Sequence, residues 1–170
     1  WMQKGDFHST HPVWVNGGIR TGYTCNVLLD MNSPYIKGRR FDLALGQSGG
    51  EDTDFFTQVT GEGGRISFAT TAVLEEPVPA TRASLSWLLK RRFRSGQTHG
   101  RILRSRSSSV GRVREMAIAA MKAGFCFAAC IATAVSTKTS VGFLLRAALH
   151  CGAVGGVMGV REIRQYGTVV

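Results

Sequence analysis

The spacing of apolar positions changes several times along the chain. Residues 1–22 mix Gly, Pro, His and scattered aromatics without periodicity, which predicts irregular structure. "YTCNVLLD", Tyr23 to Asp30, is rich in β-formers and predicts a buried strand. Asn32, Ser33 and Pro34 then predict a short helix or turn ending near Gly38. In "SGGEDTDFFTQVTGEGG" the pattern becomes helical. Ser48 and two glycines supply a loop, and Glu51, Asp52 and Asp54 crowd a first turn, where the partial positive charge of a helix start attracts acids. Phe55, Phe56 and Val59 recur at about one turn, and Gly61, Gly63 and Gly64 end the helix. "RISFAT" alternates, with Ile66 and Phe68 on one face, and predicts a second strand. "AVLEEPVP" continues extended to Pro77 and Pro79. Thr81 is the expected cap of a helix through Leu85, Trp87, Leu88, Leu89 and Phe93, ending at Gly96.

"SRSSSVGR", Ser105 to Arg112, reads as a flexible basic linker. Two 20-residue apolar stretches follow. Met116–Val135 is interrupted by Lys122, and Val141–Val160 by Arg146 and His150, with the polar turn "STKTS" between them. About 20 apolar residues suffice to span a bilayer. A central cation costs about 2.5–3.5 kcal/mol, although Arg146, nearer one end, has the reach to snorkel. The many small residues permit close helix packing. The pattern admits a membrane-associated or re-entrant hairpin, a spanning hairpin, or a soluble helical pair.

Charge sharpens this picture. The 170-residue chain carries a formal net charge of +10. Residues 1–79 are net −3, residues 80–114 net +10 with no acid, and residues 115–170 net +3, so one segment accounts for the imbalance. Such a block calls for an anionic partner. With 44% hydrophobic residues the chain is no disordered tail, and its length suffices for one domain with a core. It opens on Trp1 without a charged-then-apolar leader, and is expected to be a piece of a longer protein. No Cys-x-x-Cys pair exists among Cys25, Cys126, Cys130 and Cys151. Cys126 and Cys130 read as small buried hydrophobes, a usage that fits a reducing compartment. His8, His11, His99 and His150 stand at no metal-ligand spacing, and no metal site is assigned.

Taken alone, the acid cluster reads as a helix N-terminus. It is not an EF-hand loop, since Phe56 and Gln58 stand where ligands would be needed. The order of segments adds a second reading. "TGYTCNVLLD", "FDLALGQSGGEDTDFFTQVTGEGGRISFA" and "AVLEEPVPATRASLSWLLKRRFRSG" together resemble the second half of the catalytic domain of family 2 glycosyltransferases, in particular the bacterial succinoglycan-biosynthesis type. The resemblance covers about residues 21–100. A single Glu-Asp-x-Asp is weak; the ordered set is specific.

The resemblance implies a GT-A fold. The chain would then be α/β, a partial GT-A-like mixed sheet with flanking helices, followed by a C-terminal helical hairpin. The segments would be residues 1–100 as the acceptor-side half, 101–114 as a basic linker and 115–170 as a membrane-associated hairpin. It implies inverting transfer of a sugar from a nucleotide-sugar to a glycan or lipid-linked acceptor in polysaccharide biosynthesis. The setting would be the cytoplasmic face of the bacterial inner membrane, with an anionic membrane surface as partner. Asp52 matches the catalytic base. Glu51 and Asn26 match acceptor-side positions, Asn26 reading equally as an amide that pairs neighbouring loop backbone, and Asp54 is an acceptor-side candidate that also reads as a helix cap. Arg82, Arg91, Arg92 and Arg94 are candidates for diphosphate contact, where a guanidinium fork suits phosphate oxygens, and Trp87 is read as core. The family also uses a divalent cation, Mg or Mn, but its donor-side Asp-x-Asp is not matched here, so the chain alone is expected to be inactive. Two rivals are a non-catalytic membrane-anchored fragment and a basic nucleic-acid-binding module. The second is disfavoured because few aromatics stand near the arginines to stack on bases. A metal hydrolase is disfavoured because no His joins the acids.

Overall fold

The computed structural model describes residues 6–46 and 49–163. Ser48, and the predicted hairpin beyond residue 163, lie outside the described residues. The chain forms two compact units. Of the described residues, one unit takes in those from Thr10 to Pro77, the other residues 6–9 together with 78–163.

In the first unit, β1 (Trp14–Val15) pairs antiparallel with β2 (Gly18–Ile19) in a hairpin. Asn16 and Gly17 form its two-residue loop, both with positive φ (50° and 77°), as a type I′ turn requires. This segment was expected to be irregular. The Asn-Gly pair is its signal, and two-residue strands are too short to show alternation.

The two longer predicted strands are absent from the described residues, so the expected mixed sheet is not assembled there. Tyr23–Asp30 contains a 3-10 turn at Thr24–Asn26 and then extended backbone at Val27 (φ −145°, ψ 141°). Arg65–Thr70 has no ladder partner among the described residues. An extended segment becomes a strand only when a neighbour takes up its N–H and C=O groups, and β-propensity largely reports packing against such neighbours. Val27, Leu29 and Ile66 pack beside α1 (Glu51–Gly61). Leu28 and Val73, 98% and 79% exposed, are left uncovered.

The helix α1 forms where its sequence placed it. Gly49 and Gly50 lead into it at φ 75° and 94°, a backbone conformation that costs glycine little. It ends in a Schellman motif, with Gly64 N–H donating to the Val59 carbonyl (2.9 Å), Gly63 N–H to Thr60 (3.3 Å), and Gly63 at positive φ. Phe55, Phe56 and Val59 are buried with Ile36. Phe41 stacks on Phe55 at 4.4 Å, and Phe56 presses on Gly22, where a Cβ would stand 3.0 Å from the ring. Arg39 braces the preceding turns against α1, donating to the Tyr35 carbonyl, Gln58 Oε1 and Glu62 Oε2.

The second unit holds three long helices: α2 (Leu85–Arg106), α3 (Ser109–Ala132) and α4 (Thr137–Met158). The cap of α2 is Ser84, which accepts from Trp87 N–H, rather than Thr81, which lies in a 3-10 turn. Gly96 does not end the helix. It and Gly100 are points where α4 comes close: a Cβ on Gly96 would stand 1.9 Å from the Leu149 carbonyl oxygen, and one on Gly100 2.2 Å from that of Ala153. Gly152 and Gly156 answer from α4, with Cβ positions 1.9 Å and 2.2 Å from the carbonyls of Phe93 and Gln97. The helical propensity that glycine forfeits is offset by this packing. The predicted flexible linker is helical on both sides of a two-residue break, Ser107–Ser108, where Ser108 caps α3. Likewise most of "STKTS" forms the first turn of α4.

Contacts from Leu88 with Val141 and Leu145 through to Arg104 with Gly159 run in the same order on both helices, so α2 and α4 lie parallel. In this unit α4 is the middle layer: it packs broadly on both α2 and α3, which scarcely touch each other. Phe7 joins the cluster around Leu88. His8 stacks on Trp87 (5.8 Å between ring centroids), and its buried Nε2 has no hydrogen-bond partner among the described residues. Burial, then Arg91 and Arg92, lower the His8 pKa below its ordinary 6.5. The unfolded chain therefore binds this proton more readily. Stability is complete above pH 6.5 and is lost as pH falls toward the lower folded pKa. Thermal unfolding followed from pH 7.5 to 5.5 should show this loss, and His8→Phe should remove part of it.

Candidate functional site

The three acids expected from the sequence share the first turn of α1 and differ in what they touch. Asp52 is held by one residue through both oxygens: Thr24 Oγ1 donates to Oδ1 (2.8 Å) and Thr24 N–H to Oδ2 (3.2 Å). This ties the helix start to the 3-10 turn Thr24–Asn26 and fixes the carboxylate's direction. Each carboxylate oxygen still has a lone pair for a further donor. Glu51 is partly buried, and its Oε2 has no hydrogen-bond partner among the described residues. Asp54 accepts from Gln58 Nε2 (2.7 Å) one turn on, a surface contact that braces the helix. Asn26 donates to the Ala72 carbonyl (3.0 Å), so its amide pins one loop to another.

Behind these polar groups lies the aromatic cluster. Phe55 is 4% and Phe56 2% exposed, and each follows the acids within one turn. Burying their rings sets the rotation of α1, and with it where Glu51 and Asp52 point. Thr24 was missed by sequence reasoning. It sits inside "TGYTCN", but nothing local shows that its hydroxyl meets an acid 28 residues away.

The arginine set belongs to the other unit. Arg82 and Arg91 lie over the Trp87 ring, at 5.9 Å and 5.4 Å from its centroid. Trp87 packs against the Leu88 cluster and also serves as a platform for two cations. Arg92 lines a groove of about 480 Å³ with Lys138 and Arg146. Arg94 is 8% exposed, the most enclosed of the four.

Asp52 and Asp54 do not fit a divalent cation. Two positions apart on a helix, they project about 200° apart, and Thr24 and Gln58 occupy them separately. Among the described residues no three His, Cys, Asp or Glu side chains converge. Cys126 is buried, Cys130 and Cys151 are half-buried, and Cys25 is exposed.

No family model matches the chain, and no solved structure matches it. A curated protein does. The chain is 53% identical over 167 residues to the succinoglycan biosynthesis protein ExoM of Rhizobium meliloti (strain 1021). The alignment takes in 98% of this chain and 54% of that protein. The chain is thus a homologue of a succinoglycan biosynthesis protein, of which it spans about half the length.

Proposed function

We propose that this chain is the acceptor-side part of an inverting family 2 glycosyltransferase of GT-A fold, acting in exopolysaccharide assembly with Asp52 as its base. One observation carries the reading: a carboxylate fixed through both oxygens at the start of a helix whose other face is buried, beside a second carboxylate with a buried oxygen that has no partner among the described residues. The relative named for succinoglycan biosynthesis supports it. The uncovered Leu28 and Val73 suit a sheet completed by further chain.

In this reading an acceptor hydroxyl lies within reach of Asp52. Its oxygen forms the bond to the anomeric carbon as the bond from that carbon to the nucleoside diphosphate breaks, the electron pair leaving with the diphosphate. The hydroxyl proton passes to Asp52. Glu51 is assigned to the acceptor side, and the guanidinium forks of Arg82 and Arg91 are assigned to phosphate oxygens. The acceptor is a glycan or a lipid-linked oligosaccharide at an anionic cytoplasmic membrane surface. The cation that family 2 enzymes hold against the donor diphosphate has no ligand set among these residues, and no step is assigned to it.

The test uses the full-length protein that contains this chain, in membranes, with labelled nucleotide-sugars and a lipid extract. Transfer with inversion at the anomeric carbon is expected. The 170-residue chain alone should transfer nothing. Failure of the intact protein with every nucleotide-sugar, or retention of configuration, would overturn the reading.

A further inference from the structure

In a water-soluble bundle the bulky apolar side chains of a helix face the core. In α3 this order is reversed. Ala119, Ala123 and Cys126 form its buried side. Val110, Val113, Met121, Phe125 and Ile131 fall within about 120° of the opposite side, at 3.6 residues per turn. Met121 is 68%, Phe125 69% and Ile131 77% exposed. The outward stripe runs the length of a 24-residue helix and has no counterpart on α2, which lies beyond α4.

Cations flank the stripe. Arg114 stands at its start, and Lys122 lies to one side. Arg146 of α4 rests over Phe143 (5.6 Å), whose ring meets Phe125 edge-on (6.4 Å). This order of apolar centre and basic margin complements acyl chains beneath anionic headgroups.

Both α3 and α4 are long and apolar enough to cross a membrane, but α4 is not free to do so. It is joined to α2 along its length at backbone contact distance through Gly96, Gly100, Gly152 and Gly156. α2 carries Lys90, Arg91, Arg92, Arg94, Arg101, Arg104 and Arg106. If α4 crossed the hydrocarbon, these charges would follow it, and a cation near the bilayer centre costs about 2.5–3.5 kcal/mol.

We propose that the outer face of α3 seats this unit in the plane of an anionic bilayer surface, with α4 above it, α2 in water, and no helix crossing. The proposal rests on the membrane part of the reading above and is independent of sugar transfer.

The test takes the 170-residue chain and vesicles of equal phosphatidylcholine and phosphatidylglycerol, floated in about 1 M salt, where the screening length is about 3 Å. The chain should float. Met121→Gln with Phe125→Gln leaves charge unchanged and alters positions that are 68% and 69% exposed, at the loss of the ring contact of Phe125 with Phe143. With helicity retained by circular dichroism, the pair should lower the bound-to-free ratio at least about tenfold. Ser136→Cys, between α3 and α4, reports the mode. An impermeant maleimide added outside should label it fully, with peptide mass mapping separating it from Cys25, Cys126, Cys130 and Cys151. Labelling only after vesicle lysis would mean a spanning hairpin and overturn the in-plane mode alone. No flotation at all would overturn the membrane reading itself. Unchanged flotation of the glutamine pair, with a lipid-free dimer becoming a monomer, would assign the stripe to a second copy of the chain and overturn the proposal.

Discussion

Asp52→Asn in the full-length protein should lower sugar transfer by about 10²–10⁴-fold, the range that a general base supplies, while nucleotide-sugar binding persists. Asparagine keeps the side chain's shape and one acceptor oxygen for the Thr24 hydroxyl, but it cannot take the acceptor's proton. The Thr24 contacts allow position and basicity to be separated. Thr24→Val removes the 2.8 Å hydroxyl bond and leaves the carboxylate and the backbone bond in place. It should cost much less, within about tenfold, since one hydrogen bond to a charged group is worth about 1.5–3 kcal/mol and only part of that acts on position. Measured kcat and KM for the two variants decide the matter. Equal losses would make Asp52 an anchor for the Thr24 turn, and near-normal turnover of Asp52→Asn would remove it from the chemistry.

Gly96→Ala should destabilise the helical unit by about 3 kcal/mol, the upper part of the usual overpacking range, and lower its melting temperature by roughly 12–24 °C. The added methyl would stand 1.9 Å from a backbone oxygen of α4, with Ala153 N at 2.8 Å. Neither neighbour is a side chain that can rotate away, so the helices must separate along the whole glycine contact. Gly124→Ala and Gly142→Ala provide the contrast. They lie in α3 and α4, where a Cβ meets nothing within 4 Å. There the substitution should stabilise by about 0.4–1 kcal/mol, through propensity and a less flexible unfolded chain. Thermal melts of the three variants test both signs, and a neutral Gly96→Ala would show that α2 and α4 are not in backbone contact.

These cases show where the sequence was readable. Helix α1 was legible because its information is local: acids in the first turn, Phe55, Phe56 and Val59 one turn apart, and glycines that close it. Gly96 was misread because a glycine at a helix end and a glycine at a helix crossing look alike until the partner helix is known. The strands at Tyr23–Asp30 and Arg65–Thr70 had the right composition, but pairing depends on a neighbour that no single segment contains. At the site, the carboxylates were placed correctly on their helix. What holds them was hidden, because Thr24 and Ala72 reach Asp52 and Asn26 across 28 and 46 residues. The basic block was visible as charge, while its organisation, with two arginines over Trp87 and one enclosed, depends on packing.

The parallel pairing of α2 with α4 also bears on how the chain is made. The contact residues of α2 meet partners about 55 residues later, so these contacts are remote in sequence for a helical unit and slow to close. At about 5–20 residues per second, the ribosome leaves the glycine face of α2 without its partner for roughly 3–10 s. Meanwhile α3, with its apolar outer side, emerges first. A nascent chain in this interval exposes both a basic helix and an apolar one, and the order of synthesis brings the apolar surface out before the helix that completes the unit.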